Sequence, residues 1–253
     1  MSDILYRSAD HVAEITINRP LKGNALNAAV REGLFDAFRR ANDDPDCRVI
    51  ILTAAGDRVF CAGADLVEMA ARGITSPPPN YMPVLHKNVE MTKPVIAAVN
   101  GAALAGGFLL VQMCDLVVAS RTASFAVTEA RRGRGSPWAV PLAQQLPRRV
   151  MIELLVTAEP MSAQRAYELG FVNAVAEPAA LLDAARTMAR GIARNAPLTV
   201  KANLRMARFA DEMGAHAAEL VAEEIFKEVY LSEDAQEGPR AFKEKREPVW
   251  RGR

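Results

Sequence analysis

Lys93-Pro94-Val95-Ile96-Ala97-Ala98-Val99-Asn100-Gly101-Ala102-Ala103-Leu104-Ala105-Gly106-Gly107-Phe108-Leu109-Leu110 is the stretch that decides the fold. Its β-branched first half reads as a strand, its middle as a turn of small residues and its end as the opening of a helix. With little or no side chain at Ala105, Gly106 and Gly107, a ligand oxygen can reach the main chain, where free helix-terminal N–H groups favour developing negative charge. A second turn of similar character lies upstream. There Phe60-Cys61-Ala62-Gly63-Ala64-Asp65-Leu66 follows the apolar run Val49-Ile50-Ile51-Leu52 and a turn at Ala55-Gly56-Asp57. Two such turns can supply two donors to one oxygen, although either one alone is equally an ordinary strand-to-helix connection in which glycine permits close packing.

Outward from these turns the chain alternates strand and helix. Ala13, Ile15 and Ile17 alternate with polar residues, which predicts a half-buried strand, and Asn27 is placed to cap a helix carrying Val30, Leu34 and Phe38 on one face. Asn42-Asp43-Asp44-Pro45 ends that helix, and strands are predicted near Val49–Thr53, Val95–Val99 and Leu116–Ala119. The α/β order holds to about residue 130. Beyond Pro137 the pattern is mostly helical: Ser162 caps a short helix ending at Gly170, and helical spacing runs through Pro178–Arg194, Pro197–Phe209 and Gly214–Leu231. Gly73-Ile74-Thr75-Ser76-Pro77-Pro78-Pro79-Asn80 cannot be helix and reads as a surface loop; a proline-motif ligand is the lesser reading. Periodicity does not separate a doubly wound sheet from other α/β architectures.

The 253 residues are 50% apolar, enough for one large core. A formal net charge of +1 gives no global field toward nucleic acid or an anionic membrane. Cys47, Cys61 and Cys114 lie far apart and outside any metal-ligand spacing, which argues against a disulfide framework or a metal site and fits a reducing cytoplasm. The start, Met1 to Tyr6, has no charged leader with an apolar segment behind it, and no stretch reaches the roughly 18 apolar residues of a membrane span, so a soluble protein is expected.

The pairing of Asn18-Arg19-Pro20 with Asn24-Ala25-Leu26, followed by Phe60 to Leu66 and Lys93 to Gly107, resembles the crotonase superfamily of enoyl-CoA hydratases and isomerases. The resemblance continues through Cys114-Asp115-Leu116-Val117-Val118-Ala119, Phe125 to Glu129, Ala163 to Asn173 and Ala241 to Arg246, and so spans nearly the whole chain. It implies an α/β fold, a spiral of β-β-α repeats over residues 1–195 that holds an acyl-CoA site. A C-terminal helical region, residues 196–253, would complete the CoA pocket and build a homotrimer or a dimer of trimers. It further implies no cofactor beyond the coenzyme A of the substrate, and no metal, nucleic-acid or membrane partner.

By the same resemblance the amides of Ala62 and Gly106 bind the thioester carbonyl and stabilise its enolate, each such donor being worth roughly 3 kcal/mol. The family places carboxylates at two positions, and only one is filled here: Glu129 stands as the acid/base, while Leu109 occupies the other. Two carboxylates hold and activate a water in hydration, whereas one can move a proton between two carbons, so this pattern favours double-bond isomerisation over hydration or a hydratase-lyase outcome. Tyr81 and Tyr230 are candidates to complete such a site. Ala64, Asp65 and Leu66 are expected along the adenine, with Asp65 also a candidate helix cap. Phe226 or Phe242 with Lys245 are expected near the nucleotide phosphate, and Lys22 or Arg19 near the pyrophosphate. Arg19 is equally placed to lock the Asn18–Leu26 turn, and His11, His86 and His216 read as structural or solvated.

Gly133-Arg134-Gly135-Ser136-Pro137-Trp138-Ala139-Val140 departs from the usual family run, so the acyl pocket is altered, with Trp138 as its floor or as core filling. Arg131, Arg132 or Arg134 is near enough in sequence to pair with Glu129 and lower its pKa. A non-catalytic acyl-CoA or RNA-binding scaffold is the reading from another class, and the near-neutral charge disfavours its RNA version.

Overall fold

The computed structural model describes residues 2–253. A hairpin of β1 (Ile4–Ala9) and β2 (Val12–Ile17) opens the chain, paired antiparallel from Ile4↔Ile17 to Ala9↔Val12. Then α1 (Ala28–Asp43) starts where Asn27 caps it, the side chain accepting from the Val30 amide. A repeating unit of long strand, short strand and helix follows. β3 (Val49–Ala54), β4 (Val59–Cys61) and α2 (Leu66–Ala71) form the first unit; β5 (Val95–Val99), β6 (Ala102–Leu104) and α3 (Gly106–Gln112) form the second. β7 (Leu116–Ser120) and β8 (Ser124–Ala126) begin a third, in which a 3-10 turn, Glu129–Arg132, stands where the helix would be.

After α4 (Leu142–Gln145) and α5 (Arg148–Thr157) come β9 (Met161–Ser162), α6 (Ala163–Glu168) and β10 (Ala174–Ala176). The chain ends in α7 (Leu181–Ala193), α8 (Pro197–Glu212), α9 (Ala215–Tyr230) and α10 (Glu233–Glu244). The long strands gather in one sheet of order β1-β2-β3-β5-β7-β10, and the short ones in a second of order β4-β6-β8-β9. Each unit thus gives one strand to each sheet, and successive units pair in parallel, so the chain advances as a spiral. A doubly wound sheet would put all its strands in one layer.

Side-chain alternation explains why β3 is buried throughout. Ile50 and Leu52 enter the core against α1 and the second sheet, whereas Val49 and Ile51 join the cluster that α7 covers with Leu181, Ala185 and Ala189. Both faces are buried, so the polar alternation of a solvated strand is lost. At about 1.5–3 kcal/mol for each fully buried aliphatic side chain, those four residues contribute on the order of 6–12 kcal/mol before the entropy of ordering them. Alanines on α7 let its axis approach the sheet closely.

Several elements depart from the sequence expectation. Pro178–Ala180 is a 3-10 turn, and the α-helix proper begins at Leu181. α8 runs on to Glu212, beyond Phe209. α10 lies in the C-terminal helical region that the resemblance implies and carries Pro239 inside it; the Trp250 ring packs against Gly238, where a Cβ would lie 3.5 Å from it. Among the described residues, no helix is long and apolar enough to cross a membrane.

Candidate active site

The first small-residue turn is built on Asn24, fully buried at a left-handed φ of +52°. Its carboxamide donates to the carbonyls of Ala55 (3.0 Å) and Val59 (2.7 Å) and accepts the Arg19 amide (2.9 Å). The Arg19 guanidinium reaches the Ala25 carbonyl (2.7 Å) and Asp65 (3.2 Å), so Arg19 locks this turn. Lys22 stands exposed beside it. Asp65 caps α2 by accepting the Val67 and Glu68 amides; these bonds and Arg19 outweigh burial and hold its carboxyl below the ordinary range.

The turn also corrects one expected donor. The Ala62 amide donates to the Gly23 carbonyl at 3.0 Å and is spent on the backbone. Leu26 donates to Gly63 O (2.8 Å) and accepts from Asp65 N (3.4 Å), a parallel bridge that leaves residue 64 facing the opposite edge. Among the described residues the Ala64 amide has no acceptor, so the free donor of this turn is Ala64, two positions beyond Ala62.

The second turn lies against the first. A Cβ on Gly63, whose φ is +89°, would stand 2.9 Å from the Ala105 Cβ and 3.1 Å from the Gly106 nitrogen. Only glycine permits that approach. Ala105 holds φ +51° and ψ −122°, a conformation costing about 1–3 kcal/mol outside glycine, and its amide donates to Ala126 O at 2.9 Å. The unusual ψ rotates the 105–106 peptide and thereby sets the direction of the Gly106 N–H. As the first residue of α3, Gly106 has no acceptor within its helix.

The same Ala105–Ala126 bond ties this turn to the end of β8, three residues before Glu129. One oxygen of Glu129, Oε1, accepts the Trp138 indole N–H at 2.8 Å; the other, Oε2, is enclosed and has no partner among the described residues. Burial pushes the Glu129 carboxyl above its ordinary range, against the opposing bonds from Trp138 and backbone amides. Arg131 does not pair with it; its guanidinium is bonded to Glu159 at 2.5 Å. Trp138 packs edge-on against Phe108 of α3, with ring centroids 6.3 Å apart, so it is both core filling and a partner of Glu129. Leu109 is buried yet belongs to neither packed core cluster, and it lies three residues along α3 from Gly106, on the same face.

Tyr81 and Met82 bring the proline-rich loop back to these turns. The terminal methyl of Met82 lies 3.5 Å from where a Gly106 Cβ would be. The Tyr81 hydroxyl accepts from Arg31 (3.0 Å), and the guanidinium sits 3.9 Å above its ring. Arg31 itself is buried and also holds the Leu26 carbonyl (2.6 Å) and Glu68 (2.9 Å), fastening α1, α2, the first turn and the loop together. Sequence reasoning missed Arg31; the available signal was an arginine directly beside Val30, on the face of α1 that carries the core residues.

The C-terminal candidates stand apart from these turns. Phe226 neighbours Tyr230 at 6.4 Å between centroids, Phe242 is 86% exposed, and Lys245 ends α10 in a left-handed cap. Among the described residues, no hydrogen bond or ion pair joins α9 or α10 to Ala64–Leu66. A cavity of about 520 Å³ at the N-terminal ends of β3 and β5, lined by residues such as Arg48, Pro94 and Trp250, shares none of the site residues. No group of three or more His, Cys, Asp or Glu among the described residues is arranged to hold a metal ion.

Two free amides on touching turns, with a half-buried carboxylate nearby that has one enclosed, unpartnered oxygen, form an arrangement that can polarise a carbonyl and move a proton. The fold and that site together are those of a β-β-α spiral enzyme acting next to a carbonyl. The chain belongs to the enoyl-CoA hydratase/isomerase family, the crotonase superfamily, whose model matches residues 7–253. Carnitinyl-CoA dehydratase from Proteus mirabilis (strain HI4320) is 40% identical over 252 residues, covering 96% of this chain and 95% of that protein. Among solved structures, an enoyl-CoA hydratase from Mycobacterium tuberculosis H37Rv superposes with a TM-score of 0.92 at 38% identity, each chain covered completely. An enoyl-CoA hydratase from Bacillus anthracis gives 0.90 at 31% identity, covering 99% of this chain and 100% of that one.

Proposed function

We propose that the chain is an acyl-CoA hydro-lyase that interconverts a 3-hydroxyacyl-CoA and a 2-enoyl-CoA, with Glu129 as the only acid/base. The observation that carries the reading is the Glu129 carboxyl: one oxygen held by Trp138, the other buried and free. The thioester oxygen accepts from the Ala64 and Gly106 amides, Oε2 takes the C2 proton, and the electron pair passes into the enolate. As the enolate collapses to the C2–C3 double bond, the C3–O bond breaks and Oε2 returns the proton to the departing hydroxyl, giving water. In the dehydration direction one carboxylate on one face suffices because the substrate delivers the oxygen itself. The buried Leu109 provides no second anchor for a free water. The names of the relatives, a carnitinyl-CoA dehydratase and enoyl-CoA hydratases, support water chemistry at this position.

Leu109 favours a second reading, isomerisation, in which Oε2 carries a proton between C2 and C4 and no water is involved. Lys22 offers a charge to the pyrophosphate in either case. Phe226, Phe242 and Lys245 would meet the nucleotide of another copy in a homotrimer. The test is incubation with 3-hydroxyacyl-CoA, trans-2-enoyl-CoA and trans-3-enoyl-CoA, with products resolved by chromatography and mass. Loss or gain of one water supports the hydro-lyase; an isobaric product from the 3-enoyl substrate alone establishes isomerisation, and no conversion of any of the three overturns both.

A further inference from the structure

The surroundings of Trp138 are more constrained than filling the core requires. Its ring packs on Phe108, which itself lies 5.5 Å from both Phe125 and Phe171. The Trp138 carbonyl accepts the side-chain amide of the buried Gln112 at 2.5 Å, and the Gln112 carbonyl accepts from Gln145 at 2.9 Å. Ring and backbone are therefore both fixed, and the one polar atom of the indole is aimed at Oε1 of Glu129.

Among the described residues no charged side chain forms a hydrogen bond or ion pair with the Glu129 carboxyl. α3 carries no ionisable residue. On the 3-10 turn Arg131 is bonded to Glu159 and Arg132 is exposed; Arg134 meets Glu129 only through its backbone amide. From α5, which packs on this turn, Arg148, Arg149 and Glu153 are all exposed.

We infer that Trp138 is a positioning residue: its indole N–H pins Oε1 of Glu129 and reserves Oε2 for carrying the proton. This role rests on the reading of Glu129 as the acid/base. A hydrogen bond that favours the carboxylate opposes the burial that favours the acid, so its loss raises the pKa.

The chain contains two tryptophans, and the second, Trp250, donates its indole N–H to the Arg194 carbonyl at 2.6 Å. A ¹H–¹⁵N spectrum of the whole protein therefore carries its own control. The Trp138 indole resonance should move with pH as Glu129 titrates, Trp250 should not follow, and Glu129→Gln should abolish the movement. In Trp138→Phe, which keeps a ring against Phe108, the acid limb of the kcat/KM profile should move up by about one to two pH units. A Trp138 indole that stays still from acid to alkaline pH overturns the proposal, as does an acid limb unmoved in Trp138→Phe with activity reduced equally at every pH. Full turnover in Glu129→Gln would instead sink the underlying reading of Glu129 as the acid/base, because the indole titration reports the hydrogen bond independently of turnover.

Discussion

Replacing Gly107 with alanine would put a Cβ 2.1 Å from the Cys61 carbonyl oxygen and 2.8 Å from both its carbonyl carbon and its Cβ. The oxygen it meets is main chain, so no rotamer change relieves the clash. A relaxed carbon–oxygen contact is about 3.3 Å or more, so α3 and β4 would have to separate by roughly 1 Å. Overpacking of this kind costs about 1–3 kcal/mol, and a backbone-to-backbone clash belongs at the upper end. For a chain of this length that is a fall in Tm of about 6–12 °C. Gly106→Ala is the contrast. There a Cβ meets the Leu26 side chain at 3.4 Å and the Gly63 Cα and Met82 methyl at 3.5 Å each, ordinary contact distances. Its φ is not left-handed, and alanine is the better helix former, so its Tm should stay within about 4 °C of the parent. Thermal melts of the two variants in parallel decide the matter. A Gly107→Ala protein that melts within about 2 °C of the parent would refute the close approach of α3 to β4, and with it the placement of the Gly106 amide.

Glu129→Gln should lose turnover by about 10²–10⁴-fold while retaining affinity for the CoA thioester; unchanged turnover contradicts the assignment. The same variant has a stability signature. Burial raises the folded-state pKa of Glu129 above 4.5, so the folded protein binds more protons than the unfolded chain between those two values. The parent therefore loses stability as pH rises through that window. Glu129→Gln should melt higher than the parent at about pH 8 and alike at about pH 4, and a difference independent of pH would count against the desolvation of this carboxyl. Asn24→Ala strips partners from the Ala55 and Val59 carbonyls and the Arg19 amide, at about 1–3 kcal/mol for each buried group left unpaired. Urea unfolding should show a loss of roughly 3–5 kcal/mol, and a loss under about 1 kcal/mol would mean water replaces the carboxamide.

Much of this was legible because local chemistry and tertiary demand coincide. Asn27, Asp65 and Ser162 each cap the helix they precede, and the apolar runs at Val49, Val95 and Leu116 are strands buried on both faces. The two small-residue turns were visible for the same reason: their conformations need small residues. What stayed hidden depends on partners distant in sequence. Which amide of Phe60–Leu66 is free follows from the bridge to Leu26, and no pattern within the segment distinguishes Ala62 from Ala64. Arg131 pairs with Glu159 instead of its near neighbour Glu129 because the intervening chain returns through α5. The split of strands into two sheets was equally invisible, since β4, β6 and β8 are only three residues long and have no room for a periodicity.

On the proposed function, Leu109, Glu129 and Trp138 form a site in which one carboxyl transfers the proton alone. A single acid/base must accept a proton readily and release it readily, which requires a pKa near the working pH. Burial beside an apolar helix face drives the Glu129 pKa up; a second carboxylate at position 109 would drive it further by like-charge repulsion, and leucine avoids that. The indole bond then draws it back toward ionisation without introducing a positive charge, which an arginine partner would do at the cost of basicity. An uncharged residue at position 109 and a neutral donor to Glu129 therefore both keep its pKa from rising further. On the proposed function, such a site suits a substrate that carries its own leaving oxygen.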